Sequence, residues 1–367
     1  MADIKKLGFG LMRLPKQGDW YDVDQIKKMV DYFMDKGFTF FDTAYVYDGG
    51  KSEMVAKEVL VDRYPRESFQ IASKLPIWVC KEAGDMQKVL DTSLQRTGLD
   101  YFDYYLLHSL TGGERIDLLD QFGAWDFVKK AQAEGKIRNW CFSFHDKADV
   151  LDEILTKHPG AAYVQLQINY ADWEDEGVQA RKNYEVAKKH GVPVVIMEPV
   201  KGGSLAALTP NVQKIFKDAD PNASFASWAI RFCASLDNVL TVLSGMSTFD
   251  QLRDNVDFMS NLKPLTADEY KVIERAVEEL KKADTIPCTK CGYCVEACPL
   301  DIDTPAIFAA MNFERQYDHL DNAKRQYGFI NPDRRAEKCI ACGACESVCP
   351  QHIEIRDLLK QAAERLV

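Results

Sequence analysis

The segment FTFFDTAYVY, residues 38–47, decides the fold prediction because it joins a buried β-strand to a loop with polar groups. Its apolar beginning suits a strand that is covered on both faces, and such strands occur in parallel sheets. An acid, Asp42, stands at the end of the strand, and a phenol, Tyr47, follows five residues later. Polar side chains at the carboxyl end of a buried strand are typical of α/β proteins, whose sites lie at that end of the sheet.

The same alternation of strand and helix recurs from residue 4 to about residue 260. Eight short apolar runs are predicted strands: 7–14, 38–44, 69–75, 102–108, 137–145, 163–169, 193–199 and 239–246. Stretches with helical periodicity follow, for example 52–61, 85–96, 119–134 and 249–259. Eight such repeats predict a (β/α)8 TIM barrel. A doubly wound sheet is the alternative, but it explains less well why polar residues fall at so many strand ends.

Composition and charge narrow the classes of partner. The 367-residue chain has a net charge of −10 and no Lys/Arg cluster, so nucleic acids and anionic membrane surfaces are poor partners. No window approaches the roughly 20 apolar residues that span a bilayer, and the first residues do not resemble a secretion signal. We therefore expect a cytoplasmic protein that acts on small molecules or on other proteins.

Eight of the eleven cysteines lie between residues 288 and 349, in two copies of the spacing C-x2-C-x2-C-x3-C-P. In this ferredoxin-type pattern three thiolates hold one cubane, and the fourth, before the proline, holds the other. Zinc is the alternative, but it needs neither the proline nor the third cysteine step. The spacing predicts two [4Fe-4S] clusters, one held by Cys288, Cys291, Cys294 and Cys349 and the other by Cys339, Cys342, Cys345 and Cys298.

The composition changes abruptly at residues 286–288, just before the first cysteine motif. We place the domain boundary there, with a barrel over residues 1–282 and a cluster-binding domain over residues 283–367. Residues 304–328, between the two motifs, have a helical pattern. The second domain is therefore predicted to be small, ferredoxin-like and mainly α-helical.

Four polar side chains near predicted strand ends form an acid–base set: Asp42, Tyr47, Lys74 and His108. An ammonium beside the phenol would lower the pKa of Tyr47, and Asp42 would hold Lys74 in place. His108 would then polarise a carbonyl oxygen, to which Tyr47 donates its proton.

The D-T-A-x-x-Y segment with Lys74 and His108 resembles the catalytic tetrad of the aldo-keto reductase family, and the resemblance covers roughly residues 4–282. It implies that a small-molecule carbonyl and its alcohol are interconverted with NADP or NAD. With the cysteine motifs, the chain resembles an iron–sulfur subgroup of that family.

The same resemblance implies which residues contact the nicotinamide nucleotide. Ser143 and Gln165 fall where the family binds the carboxamide, although Phe144 replaces the usual Asn, and Met197 stands where many members stack a Tyr. The other positions lie in two loops: Pro199, Lys201, Gly202, Gly203, Ser204 and Leu205 over the pyrophosphate, and Gly245, Ser247, Gln251, Asp254 and Asn255 at the adenosine end. NADP-selective members carry Lys and Arg at the places of Gly245 and Gln251, which leaves Arg253 as a nearby candidate cation for a 2′-phosphate.

Hydride transfer moves two electrons together, whereas a [4Fe-4S] cluster passes one at a time, so three interpretations stay open. The first is a carbonyl reductase or alcohol dehydrogenase whose clusters are structural or regulatory. The second is a redox enzyme whose clusters exchange electrons with ferredoxin or another protein, with or without a bound flavin, for which no motif is evident. The third is a non-catalytic redox sensor or partner subunit.

Overall fold

A computed structural model describes residues 4–288, 290–349 and 351–367, apart from the side chain of Glu114; Pro350 of the second cysteine motif lies outside the described residues. Eight parallel strands form a closed barrel in which neighbours in sequence are neighbours in space and the last strand pairs with the first. They are β1 (Leu7–Gly10), β2 (Phe40–Asp42), β3 (Gln70–Leu75), β4 (Phe102–Leu110), β5 (Ile137–Phe144), β6 (Val164–Gln167), β7 (Val194–Met197) and β8 (Val239–Gly245). The TIM-barrel prediction is confirmed, and the doubly wound sheet is wrong because the barrel has no open edge.

Helices follow the strands: Val23–Asp35, Lys51–Ala56 (continued by a π-helical turn, Lys57–Val61), Asp85–Thr97, Glu114–Gln121, Ala124–Ala133, Ala148–Lys157, Ala180–Lys189, Phe225–Ala234 and Phe249–Ser260. Side-chain caps fix some starts, as where Thr248 Oγ1 accepts a hydrogen bond from the Gln251 N–H at 3.2 Å. The single helix predicted over 119–134 is wrong. Gly123 adopts a φ of +67°, which interrupts the helical backbone and separates two helices.

A cluster of buried, mostly large side chains fills the barrel interior, which is why the barrel is a packed core and its chemistry lies at the mouth. Tyr104 and Tyr163 contact each other across the interior with ring centroids 5.1 Å apart. The residues of this core cluster lie on the strands or just before them: Phe40, Ala72, Tyr104, Leu106, Cys141, Tyr163, Val195 and Leu243.

Strand periodicity places predicted site residues beside this core cluster, on the side of the barrel mouth. Side chains two residues apart on a strand share a face, so the residue after next lies on the same inner side, nearer the carboxyl end. Seven core residues are followed in this way by predicted site residues: Asp42, Lys74, His108, Ser143, Gln165, Met197 and Gly245. The barrel therefore brings the predicted residues of strands β2 to β8 to one mouth.

The described residues form two compact units, one from residues up to Val200 with Ala226–Thr266, the other from Lys201–Phe225 with the chain from Ala267 onward. The described part of the second unit has helices but no strand, which confirms a mainly α-helical C-terminal region. Its helices are Pro210–Ala219, Ala267–Leu280, Tyr293–Glu296, Thr304–Tyr317, Leu320–Gly328, Ala344–Ser347 and Ile355–Arg365. The domain boundary at residues 282 and 283 stays a prediction.

The second unit has its own hydrophobic core, in which Ile307, Phe308 and Leu359 are almost fully buried. A side-chain cap begins one of its long helices, since Asp303 Oδ1 accepts from the Ala306 N–H at 3.3 Å. In the part of the chain that the structure describes, no helix combines the length and the apolar character that crossing a membrane requires.

Candidate active site and cluster-binding cavities

Lys74 and Asp42 form a buried ion pair at the barrel mouth. The Lys74 side chain is 1% exposed, and its Nζ lies 2.6 Å from Asp42 Oδ1 and donates to the Thr43 carbonyl oxygen at 2.7 Å. Burial works to lower the pKa of Lys74, but the Asp42 carboxylate and Tyr47 together more than offset it, so the pKa is raised. Lys74 is therefore a fixed positive charge, which Asp42 orients as predicted.

Tyr47 begins a short turn, Tyr47–Gly50, directly after β2 and lies beside this charge. The Lys74 Nζ is 4.7 Å from the centre of its ring. Burial raises the pKa of Tyr47 above its usual value of 10, and the nearby ammonium lowers it by less than burial raises it. The expectation that Lys74 leaves this phenol with a lowered pKa is wrong in net sign, so Tyr47 keeps its proton and suits the role of a proton donor.

His108 faces Tyr47 from β4, with the two rings edge to face and their centroids 5.9 Å apart. The strand pairing shifts register between Leu107 and Leu110, and such a bulge re-aims the side chains around it. Burial, together with the positive charges of Lys74 and Arg115, lowers the pKa of His108 well below 6.5. The ring is therefore neutral near pH 7, when one nitrogen can donate a hydrogen bond to a carbonyl oxygen.

Ser143 and Gln165 lie side by side, because β5 and β6 pair them directly in register. Both are nearly fully buried, and the Gln165 Oε1 atom is buried without a hydrogen-bond partner among the described residues. A buried amide oxygen without a donor is costly unless a ligand supplies one. A nicotinamide carboxamide has the N–H groups that this oxygen lacks, so these residues fit the cofactor that the sequence implied.

The residues predicted for the adenosine end lie after β8 and in the helix Phe249–Ser260. Asn255 Nδ2 donates to Ser244 Oγ at 2.9 Å, and the Ser247 N–H donates to Gln251 Oε1 at 2.8 Å, so these positions form two hydrogen-bonded pairs. The candidate cation Arg253 is exposed and pairs with Asp250 at 2.9 Å. Asp254 lies in the same helix, while Met197 and Pro199 lie at the end of β7 and just after it.

The loop Lys201–Leu205 belongs to the second unit and is held there by a residue that the sequence analysis missed. Asn322 Nδ2 donates to the Gly202 carbonyl oxygen and to Ser204 Oγ, both at 2.9 Å. The Lys201 Nζ lies 5.5 Å from the centre of the Tyr317 ring. No local sequence pattern signals these contacts, because Asn322 is more than a hundred residues away in the chain.

Two cavities in the second unit are lined by the motif cysteines. One cavity is lined by Cys288, Cys291, Cys294 and Cys349, and the other is lined by Cys298, Cys339, Cys342 and Cys345. The two cavities are similar in size, as expected for two sites that take the same group. Each cavity thus brings together the four cysteines that the spacing assigns to one cluster.

The glycines at the cavity edges are conformationally suited to a cofactor at close range. Gly292 and Gly343 adopt φ values of +86° and +82° and precede short helices that each carry one motif cysteine. Within the described residues, no three Cys, His, Asp or Glu side chains converge closely enough to hold a single metal ion. Four thiolates spaced around a cavity fit a cubane better than a zinc ion, whose sulfur ligands all lie about 2.3 Å from one point.

A second aromatic contact at the barrel mouth was also missed. The Trp78 ring, in the turn after β3, lies 5.2 Å from the His108 ring, and the Arg115 guanidinium lies 4.5 Å from the Trp78 ring centre. Trp78 lies in a turn and Arg115 in the first turn of the helix Glu114–Gln121. Neither segment has a recognisable motif, so the stack could not have been identified from one of them by itself.

Known protein families match both the barrel and the cysteine-rich part of the chain. The sequence model of the Aldo/keto reductase family matches residues 6–278, and the model of the 4Fe-4S dicluster domain matches residues 287–354. An oxidoreductase of Bacillus subtilis, itself uncharacterized, is 24% identical over 304 residues, which cover 74% of this chain and 92% of that protein.

Solved structures resemble the barrel. The holo form of an aldo-keto reductase from Bacillus halodurans has a TM-score of 0.61 and 25% identity, covering 74% of this chain and 91% of that one. An aldo-keto reductase from Klebsiella pneumoniae in complex with NADPH has a TM-score of 0.59 and 20% identity, covering 74% of this chain and 90% of that one. The second likeness shows the fold alone.

Proposed function

The chain belongs to the aldo/keto reductase family, and from that premise we propose that this oxidoreductase interconverts a carbonyl compound and an alcohol with a nicotinamide nucleotide. The observation that carries the proposal is the grouping of Tyr47, a charged Lys74 and a neutral His108 at one mouth. The family membership also favours an enzyme over the non-catalytic sensor or partner subunit.

Each residue of the group has a distinct role. His108 binds the carbonyl oxygen and orients it, and Tyr47 donates a proton to that oxygen while Lys74 stabilises the phenolate that forms. A bound dihydronicotinamide supplies the hydride to the carbonyl carbon, so the carbonyl is reduced by two electrons as the nucleotide is oxidised. Asp42 keeps Lys74 at the distance that this stabilisation needs.

The nucleotide preference follows from the adenosine end. An NADPH complex of a family member supports NADPH as a substrate, but Gly245 and Gln251 provide no positive charge and Arg253 is paired with Asp250. We expect NADPH to be preferred over NADH by less than about tenfold, since a strong preference needs a charged partner for the 2′-phosphate.

The second unit would hold two [4Fe-4S] clusters, one in each cysteine-lined cavity. A reducing compartment such as the cytoplasm would keep these thiolates available as ligands. Iron and sulfide measurements on anaerobically purified protein should give the content of two clusters per chain, whereas the content of one cluster or of zinc would contradict this part of the proposal.

A second candidate function, electron exchange with ferredoxin or a similar protein, is favoured by the surface around the clusters. Cys291 and Cys342 are exposed, and so are the large side chains Tyr293 and Ile340 beside them. Exposed apolar groups at a redox centre suit a transient protein contact. A bound flavin would couple one-electron and two-electron steps in this version.

One experiment separates the two candidates. Anaerobically purified protein is mixed with NADPH, first without a carbonyl compound and then with a panel of aldehydes and ketones, while visible absorbance and electron paramagnetic resonance are recorded. The reductase proposal expects oxidised clusters in the first mixture and NADPH consumption in the second. Reduced-cluster signals without any carbonyl compound would favour electron exchange.

The matched variants are Tyr47→Phe and Tyr45→Phe, because both remove one phenolic hydroxyl in the same loop. Tyr47→Phe should lower kcat for carbonyl reduction by about 10²- to 10⁴-fold, the range for loss of a general acid. Tyr45, whose ring stacks on Arg96 instead, should tolerate the change with a small effect. Equal rates for the two variants would contradict the assigned role of Tyr47.

A further inference from the structure

Four side chains at the barrel mouth form a continuous row. The Tyr47 ring contacts the His108 ring, the His108 ring lies 5.2 Å from the Trp78 ring, and the Arg115 guanidinium lies 4.5 Å from the Trp78 ring centre. The distance from the guanidinium carbon to the His108 ring centre therefore cannot exceed the sum of the last two distances, from His108 to Trp78 and from Trp78 to Arg115. A molecule of a few carbon atoms whose carbonyl lies at Tyr47 and His108 can reach Arg115 with its other end.

The position of Arg115 is fixed by an unusual backbone conformation. Ser109 adopts a φ of +56°, which costs a non-glycine residue free energy and persists where its surroundings enforce it. The Ser109 N–H donates to Ser143 Oγ at 2.6 Å, while its carbonyl oxygen and Oγ both accept from Arg115 Nη1 at 2.7 Å. The strained residue thus links the guanidinium to the strand end that carries the predicted nicotinamide contact.

The positive charge of Arg115 is not paired with a described carboxylate, so it is available to a ligand. Its hydrogen bonds run from Nη1 to Ser109, and no carboxylate among the described side chains forms an ion pair with it. Asp146, the acid of the neighbouring loop, accepts instead from the backbone N–H groups of Gly112 and Lys147. The guanidinium therefore retains N–H groups that face no described acceptor.

The charges that act on His108 favour an anion on its side of the mouth, whereas the Glu198 carboxylate acts on Tyr47. The carboxylate of Asp42 is already paired with Lys74, so it does not neutralise Arg115. The positive charges of Lys74 and Arg115 both act on His108, which burial keeps neutral. A planar guanidinium stacked on an indole also presents an edge that matches a carboxylate with two parallel hydrogen bonds.

We propose that Arg115 binds a carboxylate of the substrate, so that the preferred carbonyl compounds are oxo acids and Arg115 determines this specificity. The inference rests on the proposed reductase function and adds the class of substrate. Trp78 holds the guanidinium in place and excludes water from the space between the two ends of the substrate.

The test compares two pairs of aldehydes that differ in charge and have the same number of non-hydrogen atoms: 4-carboxybenzaldehyde with 4-isopropylbenzaldehyde, and 4-oxobutanoate with 4-methylpentanal. Steady-state kinetics with NADPH are measured on the anaerobic holoprotein, on Arg115→Gln and on Arg115→Lys. Arg138→Gln is the matched control, because Arg138 also stacks on an aromatic ring, that of Tyr101, but lies near the opposite end of β5.

The proposal expects the wild type to prefer the carboxylated aldehyde of at least one pair by about tenfold or more in kcat/KM. Arg115→Gln should lower that preference by about 10- to 100-fold, mainly through KM, as expected for loss of charge-assisted hydrogen bonds. Arg115→Lys should restore part of it, and Arg138→Gln should retain it.

Two results overturn the proposal while leaving the reductase function in place. One is turnover of both members of each pair without preference, and the other is an equal loss for charged and neutral aldehydes in Arg115→Gln, which indicates a structural role. A protein that reduces none of the four aldehydes and shows no NADPH consumption with other carbonyl compounds fails the proposed function itself and the inference with it.

Discussion

The buried ion pair at the mouth makes a quantitative prediction for Lys74→Met, which removes the charge and keeps most of the side-chain volume. Among the described residues, Lys74 is the ion-pair partner of Asp42, whose Oδ2 has no hydrogen-bond partner and whose side chain is 4% exposed. The substitution leaves a buried carboxylate with neither oxygen bonded. Removing one partner of a buried pair costs about 3–5 kcal/mol of unfolding free energy.

This loss of unfolding free energy is limited by protonation of Asp42, which removes the unpaired charge, so the loss depends on pH. Burial raises the pKa of Asp42 and Lys74 opposes the increase, so the variant should have a pKa that is raised further. Above the unfolded-state pKa of about 3.9, folding of the variant then requires Asp42 to take up a proton. This uptake lowers the free energy of unfolding by about 1.4 kcal/mol for each pH unit above that pKa. The part of the loss of unfolding free energy that the unpaired carboxylate causes should reach up to about 4 kcal/mol at pH 7 and shrink to about 1.5 kcal/mol at pH 5. The lost hydrogen bond to the Thr43 carbonyl adds about 1–2 kcal/mol at both pH values.

The double variant Lys74→Met/Asp42→Asn tests the reasoning, because it removes both charges. Its free energy of unfolding should be about 1–2 kcal/mol below that of the wild type at both pH values, mostly because the Thr43 carbonyl loses its hydrogen-bond donor. Urea unfolding followed by tryptophan fluorescence reports on the barrel, since all six tryptophans lie within residues 20–228. Equal losses for the single and double variants at both pH values would refute the electrostatic account.

Three further predictions concern the clusters, the pH profile and the nucleotide loop. Cys298→Ala and Cys349→Ala should each impair the cluster held mainly by the other motif, so paramagnetic spectra of the two variants should lose different signals. The lowered pKa of His108 should leave kcat/KM for carbonyl reduction flat between pH 6 and 8; an inflection near pH 6.5 that disappears in a His108 variant would contradict this. Asn322→Leu should raise the Kd of NADPH by about 3- to 10-fold, measured by fluorescence titration, because it removes two hydrogen bonds that order residues 201–205; an unchanged Kd would contradict the role of that loop.

Local pattern was sufficient for the features that are themselves local. The eight strands could be predicted because each is a short apolar run. On five of them, a polar residue two positions after an inner core residue marks the mouth. The cysteine groups could be predicted because cluster ligation imposes a fixed spacing on a short segment. The prediction for Tyr47 shows the limit, since the sequence identifies Lys74 as its neighbour but does not give the burial that outweighs it.

Contacts between distant segments could not be predicted. Trp78 and Arg115 lie in segments that follow two different strands, and Asn322 contacts Gly202, which is more than a hundred residues away in the chain. The strained backbone of Ser109, which fixes Arg115, depends on the hydrogen bond that its N–H donates to Ser143 Oγ on the neighbouring strand. Such features follow from closure of the barrel and from packing of the helices, neither of which a single segment encodes.

Transfer of deuterium from NADPH labelled at C4 of the dihydronicotinamide tests the central claim most directly. The account predicts that one C4 deuterium per turnover appears on the carbinol carbon of the alcohol product, because the hydride moves directly to the carbonyl carbon at the mouth lined by Tyr47 and His108. Product without deuterium, formed while the label is lost to solvent, would show that electrons pass through the clusters or a flavin and would contradict the account.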